Sequence, residues 1–160
     1  QLFAFSLPTC AFSREQGEAV LRVVQERLLT PYGPRSLAPG SPGYDGHYPG
    51  DAYHRDSVYH QGAVWPWLLG AYADALLNVR GSTDATLAEL RERIRPLLKH
   101  LEQDGCLGSV AEIFDGDPPH APNGCVAQAW SVAELLRIYA LTVAPERGGA
   151  EAEAALVSLR

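Results

Sequence analysis

The sequence predicts an all-α chain, a run of helical hairpins whose long loops gather at one end. Three observations predict it. Apolar residues recur at helical spacing in five segments. Capping or breaking residues bound those segments. The stretches between them include two loops, residues 31–62 and 111–125, that are far richer in Gly, Pro, His and Tyr or Asp than plain connections need.

The elements follow in order. QLFAFSLP at the start is short and apolar, a strand or the end of a preceding element. Ser13-Arg-Glu-Gln16 fits a capping box. Val20, Leu21, Val24 and Leu28 then form one apolar face, and Thr30-Pro31-Tyr32-Gly33-Pro34 stops the helix. Residues 31–62 show almost no helical period, and Tyr32, Tyr44, Tyr48, Tyr53 and Tyr59 argue against disorder there. A second helix is expected from Val64 to Val79, with Leu68, Ala71, Tyr72, Ala75 and Leu76 inward and Gly81 as its C-cap glycine. A third spans Asp84 to Gln103, with Leu87, Leu90, Ile94, Leu97, Leu98 and Leu101 at helical spacing. Pro96 should bend it or split it. A fourth runs from Val126 to about Val143, with Ala129, Trp130, Ala133, Leu136 and Tyr139 or Ala140 facing in. Residues 150–160, rich in Ala and Glu, read as a last helix with a fraying end. No linker divides the chain into two domains.

Composition excludes several functions. Hydrophobic residues are 46% of the 160, enough for a core. The formal net charge of -6 argues against a nucleic-acid surface. The apolar runs are too short to span a bilayer, and no signal peptide opens the chain. The chain has no methionine, which is read as N-terminal truncation. Cys10, Cys106 and Cys125 are odd in number and widely spaced, which points to small buried thiols in a reducing cytoplasm rather than a zinc cluster or disulfide framework.

Three patches carry residues fit for chemistry. YHQGAVWPW, Tyr59 to Trp67, combines aromatic faces suited to sugar rings with His60 and Gln61, which bond hydroxyls. Read alone, it is equally a helix start whose tryptophans fill the core and whose His60 is a buried, satisfied donor. In AEIFDGDPPHAPNGC, Glu112 lies between apolar neighbours, Val110-Ala111 and Ile113-Phe114. Partial desolvation of such a carboxylate demands a partner, and it then suits general acid or base work. A solvated loop acid is the plainer alternative. Asp115 and Asp117 look like turn formers, and His120 is expected to be exposed. In CVAQAWSVAELLR, Gln128 and Trp130 lie near a helix start, either reaching a pocket or capping and filling the core. His54, Asp56 and His60 form a weak H-x-D-x-x-x-H pattern that matches no recognised ligand spacing. G-x-S-x-G, P-loop and G-x-G-x-x-G motifs are absent.

Taken together and in order, YHQGAVWPWLLG, AEIFDGDPPHAPNGC and AQAWSVAELLR resemble the C-terminal portion of the prokaryotic and archaeal glycogen debranching enzymes of the amylo-alpha-1,6-glucosidase type. QLFAFSLP, TPYGPRSLAP and YPGDAYHRDSVYHQG extend the resemblance from Gln1 to about Tyr139. It implies an (α/α)6 toroid, of which residues 1–160 would be a C-terminal fragment supplying about half, with the active site in the loops. It implies hydrolysis of α-1,6 branch points with inversion, by a general acid and a general base. Glu112, in Ser109-Val-Ala-Glu112-Ile-Phe-Asp-Gly, matches the family's base. The family's acid is an Asp in a Trp-x-Asp-type segment upstream, and no such segment occurs here. Tyr59, His60, Gln61 and Trp65 match the glucose-pocket motif, and Gln128 and Trp130 the later one. The implied partner is a branched α-glucan in the cytoplasm, with no cofactor, since water and two carboxylates suffice. Half a toroid would also leave apolar flanks bare, so self-association is expected. The alternatives are another toroidal glycosidase (glucoamylase-, trehalase- or mannosidase-like) and a non-catalytic glucan-binding or structural fragment.

Overall fold

A computed structural model describes residues 1–143. The helix expected over residues 150–160 lies outside the described residues. Those described form an all-α arrangement with short strand pairs, compatible with part of an (α/α)6 toroid.

Helix α1, Phe3–Ser6, is where a strand or trailing element was expected. Helix α2, Arg14–Arg27, starts with the capping box as read: the Ser13 hydroxyl accepts from the Gln16 amide, and the Gln16 side chain accepts from the Ser13 amide. Leu21 and Val24 are buried, while Val20 and Leu28 pack at the core's edge. Strands β1, Leu29–Thr30, and β2, Gly33–Pro34, form a tight antiparallel pair. Helix α3, Ala52–Val58, lies in the segment expected to have no helix. It buries only Val58, so it leaves no apolar period to detect; its one signal is the cap, the Asp51 carboxylate accepting from the His54 amide at 2.8 Å.

Helix α4, Leu68–Arg80, is the centre of the core. It starts four residues later than expected, because Pro66 keeps Trp65 out of helical backbone and offers no N–H. Val64 instead exchanges both backbone hydrogen bonds with Phe114. Leu69, Tyr72, Ala73, Ala75 and Leu76 are at most 2% exposed, and Gly81 ends the helix at φ 79°. Helix α5, Asp84–Gln103, has the expected bounds and remains one helix through Pro96. Its Leu90, Ile94 and Leu97 face the core.

Strands β3, Ile113–Phe114, and β4, Pro122–Asn123, pair antiparallel. Helix α6, Ala129–Val143, packs on α4 and α5. Its inward face is Ser131, Leu135, Ile138 and Thr142, not the expected Ala129, Trp130, Ala133, Leu136 and Tyr139 or Ala140. The helix is apolar nearly all round, so its sequence period does not select a face. Ion pairs fix it: the Arg137 guanidinium forks onto both oxygens of Asp74 on α4, at 2.8 and 2.9 Å. Arg80 on α4 likewise bonds Glu18 on α2 and Glu89 on α5.

The loops converge through backbone pairing. Arg35 pairs with Val64, Val64 with Phe114, and Phe114 with Pro122. Three stretches distant in sequence thus lie side by side. The three cysteines are exposed and unpaired, contrary to the buried thiols expected, because all lie in loops outside the helical core.

Candidate active site

β3 holds the 111–125 loop by its apolar residues. Val110, Ala111, Ile113 and Phe114 are at most 2% exposed, while Glu112 between them is only half-buried. Glu112 borders a cleft of about 700 Å³, walled also by Tyr48, Arg55, Pro122, Asn123 and Val126 among others.

Three donors hold that carboxylate. The Tyr59 hydroxyl donates to Oε1 at 2.7 Å and Gln128 Nε2 donates to Oε1 at 3.3 Å. The Cys125 amide donates to Oε2 at 2.9 Å. Tyr59 is a firm donor, because burial first, and the bond to Glu112 second, push its phenol well above the ordinary range. The Glu112 backbone is fixed as well: its amide donates to the Cys125 carbonyl at 2.9 Å.

The other expected residues divide into two groups. Gln128 joins Tyr59 at the carboxylate. Trp65 is 5% exposed, and its ring packs against Tyr59, His60 and Trp130. His60 is exposed, not the buried donor of the plainer alternative; its ring stacks on Trp65 at 5.2 Å and 10°. Trp130 is 45% exposed and stacks on Trp67 at 5.2 Å. Gln61 is exposed, and its backbone carbonyl accepts from the Asp45 amide. Tyr59, His60, Gln61, Trp65, Gln128 and Trp130 are not walls of the 700 Å³ cleft. His54, Asp56 and His60 form no cluster able to hold a metal ion among the described residues.

Sequence reasoning missed the acids that assemble the site. Asp115 is 5% exposed and reaches across to the 44–50 loop. Its Oδ1 accepts from the Tyr48 amide at 3.0 Å and from Asn123 Nδ2 at 2.8 Å, and His47 Nδ1 stands 3.6 Å from Oδ2. Asp117 accepts from the Tyr44 hydroxyl at 2.7 Å, and burial, then this bond, pushes the Tyr44 phenol up to about 12. Arg35 Nε donates to the Gly116 carbonyl at 2.7 Å. Gly62, at φ 150°, and Gly116 let the loops touch: a side chain on either would strike the Asp45 or the Gly62 carbonyl. His120, expected to be exposed, is half-buried at φ 60°, with Nδ1 at 2.9 Å from the Asp115 carbonyl. An acid amid glycines and prolines signals a turn in sequence; nothing there reveals that its partner is a backbone amide 67 residues away.

Residues 1–137 match the amylo-alpha-1,6-glucosidase family. The chain belongs to that family. Its kinship is thus with glycoside hydrolases that debranch glycogen. No helix of the described residues is long and apolar enough to cross a membrane.

Proposed function

We propose that this chain is the C-terminal part of a glycogen-debranching glucosidase and that Glu112 is the general base of an inverting hydrolysis of α-1,6-glucosidic branch points. The three-donor hold on Glu112 at a cleft carries this reading, within a chain of this family. A general base must be held in place with a lone pair open to water, and those donors hold it. Oε1 accepts two hydrogen bonds and Oε2 one, so Oε2 keeps a lone pair for water.

Glu112 takes a proton from that water as its oxygen bonds to the anomeric carbon. The bond from that carbon to the branch oxygen breaks, and an acid protonates the departing oxygen. Inversion needs the two carboxyl groups about 6.5–9.5 Å apart, to leave room for the water. The acid is assigned to an Asp upstream of these residues. Tyr59 and Gln128 orient the base, and Tyr48 and Val126 offer apolar surface to the ring. His60, Gln61 and Trp130, exposed and backed by Trp65, meet the glucan outside the cleft. Glycogen as substrate goes with a cytoplasmic location.

The test is glucose release from a branched limit dextrin, by these 160 residues and by the longest product of the gene. The expected result is release by the longer product alone, with β-glucose as the first anomer seen by proton NMR. α-Glucose would refute inversion, and release by the short chain would refute an upstream acid. The exposed Phe3, Leu136 and Tyr139 also suit self-association. Sedimentation should show dimers or larger species of the short chain; a monodisperse monomer at high concentration would contradict this.

A further inference from the structure

A second cleft, of about 560 Å³, opens where the C-terminal half of α5 meets the β1–β2 turn. Tyr32, Arg95, Lys99, His100, Gln103 and Asp104 line it. Glu112 is not among its walls, and neither the proposed hydrolysis nor the core uses it.

His100 is the unusual member. It is 3% exposed, and its Nε2 accepts the Ala111 amide at 3.3 Å. The proton of the neutral ring is therefore on Nδ1. That Nδ1–H is buried without a hydrogen-bond partner, and Asp104 Oδ2 stands 3.5 Å away. A buried donor left unpaired is costly, and native structures seldom carry one without a use.

The charges around it balance. Arg95 and Lys99 line it together with Asp104, and Glu92 accepts from Arg95 at 2.6 Å. An anion would gain little here. The lining mixes donors (Lys99, Arg95, His100 Nδ1–H), an acceptor (Asp104) and an amide that is both (Gln103). Tyr32, with one face stacked on Phe114 at 4.2 Å and 3°, adds a rigid aromatic wall. Alternating hydroxyls and apolar C–H faces complement such a lining.

We propose that this cleft is a second, non-catalytic binding site for a neutral carbohydrate chain. Choosing an α-glucan as that chain rests on the Glu112 reading. The site anchors one branch of a polymer while another enters the Glu112 cleft, and His100, bonded to the amide next to Glu112, links the two.

The ¹⁵N-labelled 160-residue chain is titrated with maltoheptaose and, separately, with inorganic phosphate. Maltoheptaose is expected to give saturable shifts at Tyr32, Lys99, His100, Gln103 and Asp104, and phosphate none. Lys99 and Gln103 are both exposed, so the K99A/Q103A variant should fold, checked by circular dichroism. It should weaken the response at 99–104 at least tenfold. Absence of shifts there, an undiminished response in the variant, or a response to phosphate alone would overturn the proposal. Shifts confined to 111–125 would overturn it and leave the Glu112 reading standing. Shifts confined to 99–104 would support it and count against the Glu112 cleft.

Discussion

Tyr72, Leu76, Leu90 and Ile94 in the helices are at most 2% exposed and pack as one apolar core. In the loops, Glu112, Asp115 and Asp117 each accept from a tyrosine or its backbone, at 2.7–3.0 Å, across 53 to 73 residues of sequence. Apolar burial is non-directional, so the helices tolerate exchange among hydrophobic residues of similar volume. The loop bonds are directional and charge-assisted, so single atoms decide where the carboxylates point. The helices supply rigidity, and the loop acids supply position.

That contrast can be broken at several places. The largest stability effect belongs to the core: Leu90→Ala should cost about 2–5 kcal/mol in a denaturant melt. A loss under 1 kcal/mol would mean that Leu90 is not part of the framework. Asp115→Ala should cost less, about 1.5–3 kcal/mol, yet it should expose the Tyr48 amide to hydrogen exchange while α4 and α5 stay protected. Exchange rising equally in α4 would show that loop and core are one cooperative unit.

Alkaline pH sharpens the same contrast from the core's side. Burial first, then the bond to Glu89, raises the Tyr72 phenol from 10.0 to about 12. The folded state therefore holds this proton longer than the unfolded chain. The stability it confers is fully present below pH 10 and is lost as pH rises through about 12, by about 1.4 kcal/mol per pH unit. Tyr72→Phe should flatten that part of the stability curve, and an unchanged slope would refute the assignment. The smallest effect is at a helix end: Ser13→Ala should lower stability by about 1 kcal/mol, through the lost cap.

The helices were legible where local chemistry sets them. The Ser13–Gln16 box, the bounds of the Asp84–Gln103 helix and Gly81 depend on neighbours within a turn. The apolar flanks of Glu112 left a solvated loop acid as the plainer reading, and the family resemblance singled it out. What stayed hidden depends on distant partners. α6 is apolar on several sides, so Arg137 and the packing against α4 and α5 choose its inward face. Tyr59 reads as an aromatic wall until its hydroxyl is found on Glu112, 53 residues away. Asp115 reads as a turn residue until Tyr48 is found on it.

The most direct test of Glu112 as base is the Glu112→Gln variant of the longest gene product, assayed for glucose release from limit dextrin. The amide can accept bonds at only one of the two positions and cannot take a proton from water. A kcat lowered about 10²–10⁴-fold, with the helical fold retained by circular dichroism, is the predicted result. A kcat within a factor of two of the parent's would contradict the role assigned to Glu112.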